Sequence, residues 1–512
     1  MTVSRRRLAC AAGLCSTLLL GEKALAAAPI TISSATALRE ASREPAPDAA
    51  DVCDVVVVGA GAAGLAAAVS AKGAGAKRVV VLEKGALAGG HMIVSSGMLN
   101  ALDPEGQKRA HRKDSVEQFF RDTYEGGGGK GNPDLIATMV RSSAEVFAWM
   151  KSLGVEFDPM VYEAYTGVFP RAHKTIQARS GMEYGRALMR HAKALGVEVR
   201  FRGRAESIVM MNGRAAGVDF TDMSLPQPRR RRIKADSVVI ATGGFGANRA
   251  MRTQWAPWIS IELGTTYSPG QISEDPATGD GIRMAQGAGA ELTGMEYVLA
   301  IPFWGGRVLD YPGAEIFLTM RGRRFTDETA SWDTVLSDLT AAGGSDFWVI
   351  TDSRSRKGAN FATKVQQGLV ESAADLKELA RKMDVSAGEL SRVLDRYNEA
   401  ARTSVDPDFG RTRFLQEIKE PPFYFGRERF DVHYTCGGVA INKAAEVLRA
   451  NGSGAVIAGL YAAGETTGGV HGKFRLGGNG LLDAFVFGRI AGRNAAERSL
   501  RLQRERAALG PH

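Results

Sequence analysis

Cysteine is scarce. Of 512 residues only four are Cys, and Cys10 and Cys15 fall in an N-terminal stretch that reads as removable. The remaining pair, Cys53 and Cys436, gives neither a zinc framework nor a C-x-x-C-H haem site, and Cys53, beside a strand-like run, reads as a small core residue. Long apolar runs are missing too: no segment after the N-terminus has about eighteen uncharged apolar residues in a row, which leaves no membrane-spanning helix to expect. Strong charge is also lacking, because the formal excess of +9 is modest and partly local to Arg5, Arg6, Arg7 and Lys23. A basic run at Arg229–Arg232, between Pro228 and the strand-like Ser237–Ala241, reads as a solvated hairpin loop, so no nucleic-acid partner is expected. There is no internal repeat. What the chain does have is a hydrophobic content of 44%, enough for a large core in about two or three domains.

The most informative stretch runs from Asp54 to Glu83. Val55–Val58 is a β-branched run suited to a buried parallel strand; Gly59, Gly61 and Gly64 follow at G-x-G-x-x-G spacing, then an Ala-rich helix and a second strand ending in Glu83. Gly59 permits the tight turn, Gly61 lets backbone approach a pyrophosphate, and Gly64 lets the helix pack on its strand. The helix N-terminus then offers free N–H groups to phosphate, and Glu83 stands where a ribose-binding acid belongs. Strand, turn, helix and acid together predict a dinucleotide site.

The N-terminus reads as an export signal. Ser4-Arg5-Arg6-Arg7-Leu8 is a twin-arginine pattern, Leu8–Gly21 is a short apolar stretch, and Ala24-Leu25-Ala26 offers a small-residue cleavage site. Residues 1–26 are expected to be removed on the twin-arginine route, which carries folded, cofactor-loaded proteins to the periplasm. Residues 27–50, rich in Ala, Ser and Pro, read as a linker.

Beyond Glu83, Gly89-Gly90-His91 leads to a small-residue segment, Ser95–Asn100, able to lie close against a cofactor. Asp114 with Glu117 is expected to form a capping box for a helix over Val116–Tyr124. Asn132-Pro133 starts another helix running past Met150 to Gly154, and Gly126–Gly129 reads as a flexible loop between them. A helix over Met182–Leu195, a β meander over 197–220, and a strand Ser237–Ala241 ending in Thr242-Gly243-Gly244 follow. From about 296 to 433 the pattern turns to an α+β mixture with helices at Ala374–Met383 and Ala387–Thr403, and then Gly459–Glu465 returns to the strand-plus-glycine style. Gly477-Gly478-Asn479-Gly480 opens a last helix, expected to reach about Leu500, whose N-terminus can stabilise negative charge on a cofactor ring.

Four blocks, GAGAAGLAAA, ATGGF, HYTCGGV and LYAAGETTGGVHGKFRLGGNG, together resemble the fumarate reductase and succinate dehydrogenase flavoprotein family, over most of residues 51–500. The resemblance implies an α/β fold: a Rossmann-like FAD-binding domain at 51–295 and 434–505, with an inserted α+β capping domain at 296–433 that closes over substrate. It implies FAD contacts at Gly59, Gly61, Ala63, Gly64, Glu83, Gly90, His91, Gly97, Asn100, Gly244, Glu465, Gly478 and Leu481. It further implies hydride transfer at a C=C bond, with Arg475 and His433 as carboxylate-binding positions and Arg324 in GRRFTDE as the proton-transferring arginine. His91, six residues before Gly97, matches the spacing at which membrane-bound relatives attach FAD to histidine, and a histidyl–FAD bond and a noncovalent contact are held as equal expectations.

The chain departs from the family at two places. Where a second carboxylate-binding histidine is common, it reads Leu299-Ala300-Ile301-Pro302, and the segment that supplies the family's proton relay reads 308–315, leaving Asp310, Tyr311 or Glu315 as substitutes. With Ile301, Phe303, Trp304 and Tyr311 on the cap side, an apolar or aromatic tail is expected opposite the carboxylate, so the substrate should be an aryl or alkyl acrylate. The alternative is that these aromatics pack the cap core while Arg307 turns inward to bind a second carboxylate. With no haem motif, an external electron carrier is expected, a c-type cytochrome or a quinone-linked protein. A fumarate- or succinate-type dicarboxylate enzyme, a ketosteroid-dehydrogenase-like enzyme and a non-catalytic flavin-binding protein stay open.

Overall fold

The computed structural model describes residues 51–164, 168–177, 180–267, 275–309, 313–358, 361–414 and 416–509. The export-signal and linker readings, and Asp310 and Tyr311, lie outside the described residues.

In chain order the strands that build the two sheets are β1 (Val52–Val58), β2 (Val79–Glu83), β3 (Glu198–Phe201), β4 (Gly203–Met211), β5 (Arg214–Asp222) and β6 (Arg229–Ile240). Then come β7 (Val298–Pro302), β8 (Ile316–Thr319), β9 (Asp346–Thr351), β10 (Glu371–Ala373), β11 (Phe423–Thr435), β12 (Glu446–Leu448) and β13 (Val456–Ala462). Two helices matter most: α1 (Ala62–Gly73) and α2 (Asn479–Leu509).

The first sheet runs β12-β13-β6-β1-β2-β3, with the β4–β5 hairpin attached through β5 to β6. β1 is central and parallel to both neighbours, Val55 facing Val79 on one side and Ser237 on the other. Its short β-branched side chains are buried on both faces, as a central parallel strand requires. β13 adds in parallel to β6, Leu460 opposite Val238, so the C-terminal block returns to the sheet that the N-terminal block began. α2 locks this closure by lying on α1 at backbone distance: a Cβ on Gly488 would sit 2.5 Å from Ala63 O, and one on Gly492 would sit 2.0 Å from Ala67 O.

A second sheet, β7-β11-β9-β8 with β10 also on β11, is antiparallel throughout. It has its own apolar core, including Ile316, Ile350, Leu379, Leu394 and Phe425. The two chain crossings between the sheets are not loops. β7 and β11 pair with each other, Val298 opposite Thr435, so both crossings are tied in one ladder that delivers His433 and Tyr434 to the junction.

Several local expectations need correction. The arginines at 229–232 are not a loop but the first residues of β6, because acids face them across the hairpin: Arg232 Nε bonds Asp219 Oδ1 at 2.5 Å, and Arg231 Nη1 lies 3.5 Å from Asp222 Oδ2. The helix Val116–Gly126 is capped by Ser115, whose Oγ accepts from Gln118 N at 3.1 Å; Asp114 is instead buried against Arg171 at 2.8 Å. The helix from Pro133 breaks at Ser142 into Pro133–Arg141 and Ser143–Ser152. α2 runs on to Leu509, beyond the expected end near Leu500. The glycine loop at 126–129 is pinned on residues 469–473: Asn132 N donates to Gly469 O at 2.7 Å and Lys473 N to Gly127 O at 2.8 Å.

Candidate active site

The nucleotide turn is built by close approaches that only glycine permits. Gly59 has φ +102°, and a Cβ there would sit 2.3 Å from Ala241 O; a Cβ on Gly64 would sit 1.8 Å from Gly59 O. Gly61, the N-cap of α1, is the opposite case, with nothing within 4 Å of its Cβ position, so its outer side is open to a ligand. Ala63 is buried under α2 and Leu481 packs partly buried on the core. Glu83 braces the turn, accepting from Ala60 N at 2.9 Å and Gly85 N at 2.7 Å.

Further along, Gly90 (φ +49°) and Gly97 (φ +69°) set the path of the 90–100 segment, and Tyr184 Oη donates to Gly97 O at 3.0 Å. Asn100 Nδ2 donates to Gly477 O and Asn479 Oδ1, both at 2.8 Å, clamping this segment to the start of α2. Gly478, at φ +85°, leaves room for Asn100: a Cβ would meet Asn100 Oδ1 at 2.3 Å. Gly244 does the same for two other polar groups, with Thr435 Oγ1 2.0 Å and Glu465 Oε1 2.4 Å from its Cβ position.

His91 joins this region to a carboxylate pair. Its Nε2 lies 2.8 Å from Asp275 Oδ1 and its Nδ1 3.8 Å from Glu465 Oε2, and its ring stacks on Tyr267 with centroids 5.2 Å apart. Burial works against an imidazolium here, yet the Asp275 bond and the field of Glu465 outweigh it and hold His91 above its usual value. Glu465 is held above the usual carboxylate range by burial, despite His91 and the N–H of Thr435 at 3.0 Å.

At the junction of the two sheets, side chains from distant parts of the chain converge. Arg475 is buried, with Nη1 on Leu476 O at 3.0 Å, Nε without a partner, and its guanidinium 5.0 Å above the Tyr434 ring. His433 Nδ1 lies 2.8 Å from Thr266 Oγ1, and burial followed by the charges of Arg475 and His91 keeps it neutral, well below the ordinary imidazole value. Tyr434 Oη donates to Asp483 Oδ2 at 3.3 Å, an oxygen shared with His471 Nε2 at 3.3 Å. Cys436 beside them is inert, its thiol pushed up to about 12 by burial.

Arg324 lies elsewhere. Its Nε and Nη2 each contact Glu328 at 2.9 Å, and Nη2 contacts Asp406 at 3.0 Å, all three side chains being at most 5% exposed. Burial opposes its charge, but these two carboxylates win and raise its pKa. Glu328 also takes Arg411 Nη1 at 2.6 Å, so the interior beside the second sheet holds a chain of alternating charges. Arg307 and Glu315 form a further buried pair at 2.5 Å, which commits Glu315 to Arg307 and draws Arg307 to a protein carboxylate. On the cap side of His433, Ile301 is partly buried in β7, and Trp304 Nε1 donates to Asp431 at 3.1 Å under Arg429. Phe303 is 45% exposed with its ring 6.3 Å from His433.

The chain matches the family profile described as FAD binding domain over residues 54–481. It belongs to that FAD-binding family. The flavoprotein is 32% identical to the NADH:acrylate oxidoreductase of Vibrio harveyi over 87% of this chain and 50% of that protein. It is 32% identical to the urocanate reductase of Eggerthella lenta over 86% of this chain and 74% of that protein. Among solved structures it resembles the open conformation of a flavocytochrome c3 fumarate reductase, at TM-score 0.73 and 29% identity, over 92% of this chain and 82% of that one. The flavoprotein spans about half the length of the first of these relatives. Its cofactor is FAD, and the bare outer side of Gly61 at the N-terminus of α1 fits a dinucleotide lying against backbone, while the glycines at 59, 64, 244 and 478 let the protein pack tightly on itself.

Sequence reasoning missed Thr266, Asp275, Asp406, His471 and Asp483. His471 sat inside a quoted block, and Asp483 follows the same block by three residues; Asp275 and Asp406 carry no motif, and only the fold brings them to His91 and Arg324.

Proposed function

We propose that this flavoprotein is an exported oxidoreductase that reduces the C=C bond of a 2-enoate, a monocarboxylate with an apolar or aromatic tail. The observation that carries the reading is Arg475, a buried guanidinium whose Nε has no partner and which has no salt bridge to a carboxylate among the described residues. A buried cation of this kind is expensive unless an anion completes it. Arg252 is likewise buried with Nε and Nη1 unpartnered, but two backbone carbonyls, at 3.2 and 3.0 Å, take its Nη2, the charge of Asp431 acts on it, and it lies in none of the four motif blocks.

FAD, when bound, supplies hydride chemistry at such a bond. In this reading Glu83 takes the ribose, the turn at Gly59, Gly61 and Gly64 the pyrophosphate, and Gly90, Gly97, Asn100, Gly244, Glu465, Gly478 and Leu481 the rest of the cofactor. Arg475 grips the substrate carboxylate through paired charge-assisted hydrogen bonds and draws electron density from the conjugated alkene. His433, its Nδ1 side engaged by Thr266, keeps Nε2 for the same carboxylate. Arg324 delivers the proton once the cap closes over Arg475, and its replacement is a proton taken from solvent and passed on by Glu328 and Asp406, the two carboxylates in contact with it.

Phe303 supports the tail assignment. An exposed aromatic beside His433 would gain on the order of 2 kcal/mol by covering an apolar substituent, whereas a second carboxylate there would lack a partner. The dicarboxylate alternative needs a second cation on the cap side, and Arg307 is already drawn to Glu315. Electrons would come from an external carrier, a c-type cytochrome or quinone-linked protein. The test is anaerobic: the flavin of the purified holoenzyme is reduced chemically, then acrylate, cinnamate, urocanate and fumarate are added in turn. Reoxidation by at least one enoate is expected; flavin that stays reduced with all of them leaves a flavin-binding protein without this activity.

A further inference from the structure

The trio behind Arg475 has no role in the reading above. Asp483 is 1% exposed, one of its oxygens serves both Tyr434 Oη and His471 Nε2 at 3.3 Å, and its other oxygen has no partner. His471 is 3% exposed, with Nδ1 also unpartnered, and its ring stands edge-on to Tyr434 at 5.5 Å. Tyr434 therefore carries a carboxylate at its hydroxyl end and the Arg475 guanidinium over its face. Gly480 packs between Tyr434 and Arg475: a Cβ there would lie 3.5 Å from Tyr434 Cε2 and 3.0 Å from Arg475 Cδ. His471 is itself fixed by the glycine turn at 126–129, since a Cβ on Gly127 would sit 2.3 Å from His471 O.

A guanidinium that must accept a substrate carboxylate faces two opposed demands. A carboxylate in direct contact would stabilise it in the free protein but would occupy its donors. A counter-charge set further back compensates part of the burial and leaves the donors open. We propose that Asp483, acting through Tyr434, is a remote counter-charge and positioning residue for Arg475. The ring fixes the plane of the guanidinium, the hydroxyl bond fixes the ring, and the carboxylate weakens the site's total attraction for anions, so that product is released.

This inference rests on the carboxylate-binding reading, and the test separates the two. Binding of cinnamate and of uncharged cinnamamide to the oxidised holoenzyme is followed by perturbation of the flavin absorbance. Asp483→Asn keeps shape and acceptor but removes the charge, so its Kd for cinnamate should fall roughly three- to tenfold while its Kd for cinnamamide is unchanged. A role in folding alone would weaken or spare both. Tyr434→Phe keeps the ring and cuts the tether, so KM for cinnamate should rise roughly fivefold with kcat changed less than twofold; it also serves if Asp483→Asn does not fold. Equal or weaker cinnamate binding by Asp483→Asn, or an unchanged KM in Tyr434→Phe, overturns the inference. Arg475→Gln is the control: if it binds cinnamate as well as the wild type does, the parent reading has failed and the inference with it.

Discussion

Two buried arginines, one beside the second sheet and one at the junction of the sheets, have opposite surroundings. Arg324, beside the second sheet, is saturated by Glu328 and Asp406 and stacked near Tyr397 and Phe409. Arg475, on the FAD-binding side, has one backbone carbonyl, one aromatic face and an unpartnered Nε. A side chain whose bonds are all made within the protein is held in place with its neighbours and can exchange a proton with them; one left incomplete has donors to spare for a ligand. Burial alone does not separate these cases, and the partner inventory does.

The comparison breaks most visibly at Arg475→Ala. With the anchor gone, kcat/KM for an enoate should drop about a thousandfold, ~4 kcal/mol, shared between binding and turnover, because both the grip and the activation of the alkene are lost. Stability should change by less than ~1 kcal/mol, since no protein carboxylate loses a direct contact and only the remote charge of Asp483 is left uncompensated. Steady-state kinetics beside urea unfolding monitors both; a large stability loss with little kinetic effect would reverse the assignment.

Arg324→Ala should show the other pattern. Removing it strands Glu328 and Asp406, 0% and 1% exposed, and such broken buried pairs destabilise by about 3–5 kcal/mol. Arg411 still faces Glu328 at 2.6 Å and should keep the loss near the lower end. Turnover should fall more than substrate affinity. If Arg324→Ala keeps nearly full activity while losing stability, Arg324 is a structural residue and the proton comes from another group.

A smaller effect sharpens the same contrast through pH. Burial alone would raise Asp406, but Arg324 holds it below the usual carboxylate range. Its folded value is thus depressed, and the stability it brings is complete above the unfolded carboxylate value of about 4 and is lost as pH falls through the folded value. His173 adds an earlier acid loss: burial lowers it from 6.5 to about 4, so the folded protein keeps it neutral and loses up to about 3 kcal/mol as pH drops across that interval. In urea titrations the segment below pH 4 should flatten in Arg324→Ala and persist in Arg475→Ala.

His91 offers a yes-or-no result. Its Nε2 faces Asp275 and its Nδ1 faces Glu465. Acid precipitation of the holoenzyme reads the linkage: yellow pellet for a histidyl–FAD bond, flavin in the supernatant for a noncovalent contact.

The legibility of the chain followed the range of its interactions. The β1–turn–α1–β2 unit was readable because its steric demands fall within thirty residues, from Asp54 to Glu83, and only glycine meets them. Arg475, His433 and Glu465 stood out as candidates in motif blocks, while the unpartnered Nε of Arg475 is visible only after folding. The Arg324 clamp was half readable: Glu328 is four residues on, but Asp406 arrives from 82 residues away. The basic run at 229–232 misled because charge density suggests a loop, and the acids that make it a strand sit across a hairpin at Asp219 and Asp222. The break at Ser142 has neither Gly nor Pro to announce it.

The most direct test of the central claim is the ratio of kcat/KM for cinnamate to that for fumarate, measured with the same holoenzyme and electron donor. One open guanidinium near His433, with the exposed Phe303 ring 6.3 Å from that histidine, predicts a ratio well above one for the wild type, with kcat/KM collapsing for both substrates in Arg475→Ala. A wild type that turns over fumarate far more efficiently than any aryl or alkyl acrylate would contradict the apolar-tail account and require Arg307 to leave Glu315 for a second carboxylate.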